Sequence, residues 1–203
     1  MTNCGCSPPP IETENQRQIL WTALLLNFGM FVVEVAAGTV ARSSGLIADG
    51  LDMLSDATVY AIALAAIGRS QGFKANAALI SGVSLLLLGT GVILDAVRRM
   101  LVGEAPEADW MIAVSFVALV VNIVVLRLLS NQRNGEVHLR AAWIFTRADV
   151  VANAAVILAG FAVLLTGIRY FDHAVGAAIG AYVVREAFEI ISQARAAKTP
   201  ALE

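Results

Sequence analysis

Residues 46–67 read LIADGLDMLSDATVYAIALAAI, an apolar run carrying three aspartates, Asp49, Asp52 and Asp56. About 20 apolar residues let a helix cross roughly 30 Å of hydrocarbon. Spacings of three and four put the three carboxylates on one helical face. No Lys or Arg lies in the run to neutralise them. One charge at mid-span costs about 2.5–3.5 kcal/mol on insertion scales. Three repelling charges in a low dielectric must therefore take up protons or a cation.

Runs of similar length flank this one, at about 19–41, 77–101, 110–129, 139–165 and 171–191. Gly, Asn, Pro and charged residues punctuate them at Arg42–Gly45, Arg69–Lys74, Gly103–Asp109, Ser130–Glu136 and Thr166–Arg169. The interiors are rich in Ala, Leu, Val and Gly with no alternating ten-residue pattern, which predicts helices and excludes a barrel. The expected fold is an all-α integral membrane protein of six transmembrane helices. Composition agrees. The 203-residue chain is 58% hydrophobic and only 15% charged, with a mean hydropathy of +0.74. A soluble domain is about 25% charged. Disorder, a basic nucleic-acid-binding domain and an ordinary soluble enzyme are excluded. The net charge of −2 attracts no polyanion.

Six spans put both termini on one side. With the termini inside, the inner segments hold Arg17, Arg69, Lys74, Arg127, Arg133, Arg140, Arg195 and Lys198, and the outer ones Arg42, Arg98, Arg99 and Arg169. Eight against four favours cytoplasmic termini. Residues 1–16 read as an unfolded cytosolic tail, polar, proline-rich and without the pattern of a signal peptide, carrying Cys4 and Cys6. Residues 17–192 are expected to form one six-helix transmembrane domain. Residues 193–203 are too few for a soluble C-terminal domain.

The fifth span carries Asp149, with Asn153 one turn further on. Asp49, Asp52, Asp56, Asp149 and Asn153 thus offer a mid-membrane set of oxygen ligands from two helices. Such hard, anionic donors suit a divalent metal such as Mg, Mn, Fe, Zn or Cd. The structural alternative is interhelical hydrogen bonding, or capping of the second helix, for which Asp49 is the nearest to the turn.

Ser44-Gly45-Leu46-Ile47-Ala48-Asp49 followed by Asp52-Met53-Leu54-Ser55-Asp56 resembles the second-helix motif of the cation diffusion facilitator family, metal transporters of six spans. Glu34 and Gly38 resemble its first-helix pattern, Asp149 to Asn153 its fifth-helix motif, and Asp172 the start of its sixth helix. The resemblance covers about residues 19–192. It implies a tetrahedral metal site with Asp52, Asp56 and Asp149 as three of four ligands. The fourth family position falls on Phe145, which cannot coordinate, so water, Asn153 or Asp49 completes the shell or the site holds three protein ligands. Loss of an imidazole hardens the site. The chain also resembles short bacterial members that lack the cytoplasmic domain.

The expected function is efflux of a divalent transition metal, Zn or Cd first and Co, Fe or Mn behind, by proton-coupled alternating access in a bacterial inner membrane. No cofactor is expected. The partners are the metal, protons, lipid and a second copy in a homodimer held by membrane helices. The alternatives are a passive divalent-cation channel, whose carboxylates form a ring only in an oligomer, and an intramembrane aspartyl enzyme, which needs two carboxylates sharing a proton. The chain has no Gly-x-Gly-Asp sequence, and its loops are too short for a substrate pocket.

Other residues are open to two readings. Cys4 and Cys6 are collectors of thiophilic metal or incidental. His138, close to three turns before Asp149, is a relay or an interfacial histidine. His173 is expected in an exposed loop. Arg147 pairs with Glu34 or snorkels toward the cytosol. Asn27 and Glu34, seven apart, are auxiliary ligands or helix glue. Asp95 compensates Arg98 and Arg99. Gly82, Gly89, Gly176 and Gly180 permit close helix contact, within the bundle or, on the third helix, between two copies.

Overall fold

The computed structural model describes residues 14–65, 70–130 and 137–196, with only the backbone of residues 15, 16, 71, 74 and 137–145. They form six helices: α1 (Glu14–Val40), α2 (Ser44–Ala65), α3 (Gln71–Val102), α4 (Ala108–Ser130), α5 (Val137–Thr166) and α6 (Tyr170–Ala196). There is no strand among the described residues. Each expected apolar run lies within or nearly coincides with one helix, and most helices extend further because polar flanks add turns beyond the apolar stretch. Local chemistry sets some ends. Ser70 caps α3 by accepting the Phe73 N–H at 3.3 Å. Gly103 ends α3 in the left-handed region at φ 88°, its N–H on the Arg99 carbonyl at 3.0 Å.

Four segments are long and apolar enough to cross a membrane: Arg17–Val40, Ala75–Val102, Ala108–Ser130 and Thr146–Thr166. Only 22–33% of each is buried inside the chain, so most of that apolar surface faces outward, as lipid contact requires. The other two helices fall short by charge rather than length. Asp49, Asp52 and Asp56 interrupt α2, and Asp172, Arg185, Glu186 and Glu189 interrupt α6. Shielding resolves the conflict for α2, which packs against all five other helices.

The tightest pairs are α1 with α2, α3 with α6, and α4 with α5. Asn153 meets Asp49 while Thr146 meets Tyr60, so α2 and α5 run antiparallel. Glu186 meets Ser55 while Gly176 meets Ser44, so α2 and α6 run parallel. A Cβ on Gly176 would lie 2.6 Å from the Ser44 carbonyl, so only glycine allows this approach. Gly82 and Gly89 face Ile191 and Val184 of α6. These third-helix glycines therefore serve packing within the chain.

Two apolar clusters bracket the middle of the bundle. The larger, toward the α2 N-terminus, holds Leu46, Leu51, Met111, Val114, Val156 and Ile179. The other, toward the α1 N-terminus, holds Leu20, Tyr60, Val125 and Leu129. The acidic residues of α2 begin inside the first cluster and end beside the second.

Candidate metal centre

The polar face of α2 turns inward. Asp49, Asp52 and Asp56 are 0–3% exposed, and Asp149 and Asn153 on α5 are equally buried. They do not form a single cluster. Asp149 lies against Asp52 and Asp56. Asn153 instead reaches Asp49, its Nδ2 donating to Oδ1 at 2.9 Å and Oδ2 at 3.0 Å. The antiparallel register of α2 and α5 produces this division into two layers. Among the described residues, no three His, Cys, Asp or Glu side chains converge closely enough to enclose a metal ion.

The layer of Asp52, Asp56 and Asp149 is short of hydrogen-bond donors. Neither Asp52 oxygen has a partner, nor does Asp149 Oδ2. Asp56 Oδ2 accepts the Tyr60 hydroxyl at 3.2 Å, and that hydroxyl is 3.1 Å from Thr146 Oγ1 on α5. A buried carboxylate ordinarily gathers donors, because leaving one bare is costly. Here the bare oxygens of Asp52 and Asp149 belong to neighbours on facing helices. A cation between them would satisfy both.

The sequence reading passed over Glu186 of α6. It is 8% exposed and accepts the Ser55 hydroxyl at 2.9 Å, with its charge directed at Asp52 and Asp56. Its periodicity with Gly176, Gly180 and Val183 would have placed it on the inward face of α6. Asn122 of α4 was also missed. It is fully buried, its Nδ2 lying 3.5 Å from Asn153 Oδ1 and 3.8 Å from Met53 Sδ.

At the α2 N-terminus the expectations for His173 and for Asp49 as a cap give way. Asp172 caps the helix, accepting the Ser43 hydroxyl at 2.6 Å, the Ser44 N–H at 2.7 Å and the Gly45 N–H at 3.0 Å. Ser43 Oγ accepts the Leu46 N–H at 3.1 Å. Asp49 is one turn too deep to serve. His173 is fully buried rather than in an exposed loop. Its Nδ1 lies 3.1 Å from Ser44 Oγ and its Nε2 3.3 Å from the Glu104 carbonyl, so it ties α2, α6 and the α3–α4 turn together.

Arg147 is exposed, whereas Glu34 is fully buried with no hydrogen-bond partner on either oxygen, so that pair is not formed. Asp95 does compensate Arg98 at 3.0 Å and also Arg99, with Glu104 joining the group. Asn27 is buried, its Nδ2 on the Ala23 carbonyl at 2.9 Å. Cys4 and Cys6 and the side chains of His138 and Phe145 lie outside the described residues.

The arrangement is anionic and buried, and among the described residues none of its aspartates pairs with Lys or Arg. It suits holding and releasing a hard cation rather than bond-making. Residues 20–197 match the cation efflux transmembrane domain. The chain is 28% identical over 182 residues to the metal cation efflux system protein CzcD of Cupriavidus metallidurans, covering 84% of this chain and 57% of that protein. It is 23% identical over 190 residues to the cadmium, cobalt and zinc/H(+)-K(+) antiporter of Bacillus velezensis, covering 87% and 61%. It is 25% identical over 195 residues to the zinc transporter ZitB of Escherichia coli, covering 89% and 61%. The chain thus spans about three-fifths of the length of these relatives. Membrane-crossing helices and these matches make it a multi-pass protein of the bacterial inner membrane, and the chain belongs to the cation diffusion facilitator family.

Proposed function

We propose that this chain exports divalent metal cations, with Zn or Cd as the first substrates, in exchange for protons. The observation that carries this reading is the pair of bare, buried Asp52 oxygens beside Asp149 on the facing helix. Relatives named for zinc, cadmium and cobalt support the substrate class.

Asp52, Asp56 and Asp149 are the proposed metal ligands, with Asp49 and Asn153 behind them. Glu186 adds negative potential from α6, and Tyr60 fixes the direction of Asp56. With no Lys or Arg paired to it among the described residues, the emptied site must regain positive charge, and protons from the far side supply it. The apolar clusters above and below exclude water, so the ion passes only when one of them opens. Shifts between α5 and α2 would close the ligands on the ion in one state and part them in the other. The proposed orientation has both termini in the cytoplasm, which points the α2 N-terminus outward. A homodimer through membrane helices is the proposed assembly, and Cys4 and Cys6 would gather thiophilic metal at the inner face.

The test is uptake by proteoliposomes of Zn, Cd, Co, Mn and Fe, with and without an imposed pH gradient. Saturable uptake with counterflowing protons supports the proposal. Conductance that never saturates and ignores the pH gradient would instead identify a channel. Transport that survives undiminished in Asp52→Ala and Asp149→Ala proteins would remove these ligands from the account.

A further inference from the structure

Glu34 of α1 is fully buried, and neither of its oxygens has a hydrogen-bond partner. It faces Asp49 of α2, which is also fully buried. Asp49 is held from the other side by Asn153 of α5, and Asn153 by Asn122 of α4. A continuous polar chain thus crosses four helices, with two carboxylates at one end of it. Neither Glu34 nor Asp49 forms an ion pair with Lys or Arg among the described residues. Packing gives no reason for Glu34. The neighbourhood, with Leu46, Ala48 and Leu51, is the apolar cluster that would block an ion leaving toward the α2 N-terminus.

We infer that Glu34 and Asp49, braced by Asn153, form a second divalent-cation position, about one helical turn from the first and occupied in alternation with it. The inference rests on the proposed transport reading and adds a step to it. Asp49 precedes Asp52 by three residues, about 4–5 Å along the helix. Two divalent ions that close in a dry interior repel too strongly to be held together. One ion therefore steps from the Asp52, Asp56 and Asp149 layer to the Glu34 and Asp49 layer. Three carboxylates face the ion at the first position and two, Glu34 and Asp49, match its charge at the second, where the amide of Asn153 supplies a neutral oxygen ligand on turning over. Asn122 acts as a positioning residue: its Nδ2 meets Asn153 Oδ1 in the present orientation, and its Oδ1, which has no partner, can accept from Asn153 Nδ2 once that amide has turned over.

The experiment uses the full chain with Cys4→Ser and Cys6→Ser, purified in detergent, and Cd2+ as the probe in equilibrium dialysis. Parent protein binds one Cd2+. With Asp52→Asn and Asp149→Asn together, one weaker Cd2+ remains, and adding Glu34→Gln removes it. No residual binding in the double variant, or residual binding indifferent to Glu34→Gln, overturns the second position. Should the double variant fail to fold, Glu34→Gln alone decides. It leaves equilibrium Cd2+ affinity within about threefold while transport turnover drops about tenfold, the size of effect seen on removing groups beside a metal site. Equal losses in both, or turnover unchanged, overturn it. Parent protein that binds no Cd2+ would refute the transport reading itself, whereas binding abolished by Asp149→Asn alone leaves that reading standing and removes this one.

Discussion

The two ends of the acidic face of α2 treat buried carboxylates in opposite ways. At its N-terminus Asp172 accepts three hydrogen bonds within 3.0 Å, and His173 beside it has partners on both ring nitrogens. One to three turns further along, Asp52 accepts none, Glu34 accepts none, and Asp149 keeps one oxygen bare. Burial is the same in both places, so desolvation alone does not separate them. What differs is whether the fold supplies donors. The carboxylate that caps α2 is saturated by the fold, whereas the proposed ion ligands are left open by it.

This contrast breaks most sharply at Asp149. Its replacement by Ala should reduce metal uptake to that of protein-free liposomes with little change in thermal stability. Asp52→Asn should leave the melting temperature in detergent unchanged or raise it, because a bare buried charge stabilises nothing. A marked fall in melting temperature would mean that Asp52 serves the fold. The opposite pattern is expected at the clamp. Asp172→Ala strands the Ser44 and Gly45 amides and the Ser43 hydroxyl, each orphaned group costing about 1–3 kcal/mol. A loss of about 3 kcal/mol or more should appear as a large drop in melting temperature, with transport per folded molecule retained. Asp172→Asn keeps one acceptor oxygen and should recover about half of it. Transport lost at full stability would make Asp172 part of the ion path. A smaller effect is expected from Gly176→Ala, whose methyl would sit 2.6 Å from the Ser44 carbonyl. Such overpacking costs about 1–3 kcal/mol, and the readout is again stability rather than substrate affinity.

The helices were legible in the sequence because length and hydropathy are local, and so were the aspartates of α2, whose spacing sets their shared face. The pairing across helices was not. That Asn153 would engage Asp49 rather than join Asp149 depends on the α2–α5 register, which no local pattern encodes. His173 reads as a loop residue because it stands beside Asp172 at the very start of the sixth run. It is buried because Gly176 brings α6 onto the start of α2. Glu186 went unremarked in the sixth run, and only the packing of α6 separates it from its neighbour Arg185. Arg185 is exposed and bonded to Glu189 at 3.2 Å, leaving Glu186 to Ser55.

Tyr60 lies where the contrast is weakest. Its hydroxyl belongs to both regimes, since it saturates Asp56 Oδ2 and bridges to Thr146 while the ring packs in the cluster with Leu20 and Val125. Tyr60→Phe keeps the ring and removes only the hydroxyl. If the hydroxyl chiefly aims Asp56 at the ion, metal affinity should weaken by about tenfold, while stability falls by about 1 kcal/mol or less. If it chiefly holds α2 to α5, the ordering reverses, with the melting temperature falling clearly and affinity unmoved. Isothermal titration of Cd2+ beside a thermal melt separates the two. The first result extends the transport site down to Tyr60. The second moves the boundary between fold and site up to Asp56, leaving Asp52 and Asp149 as the open carboxylates.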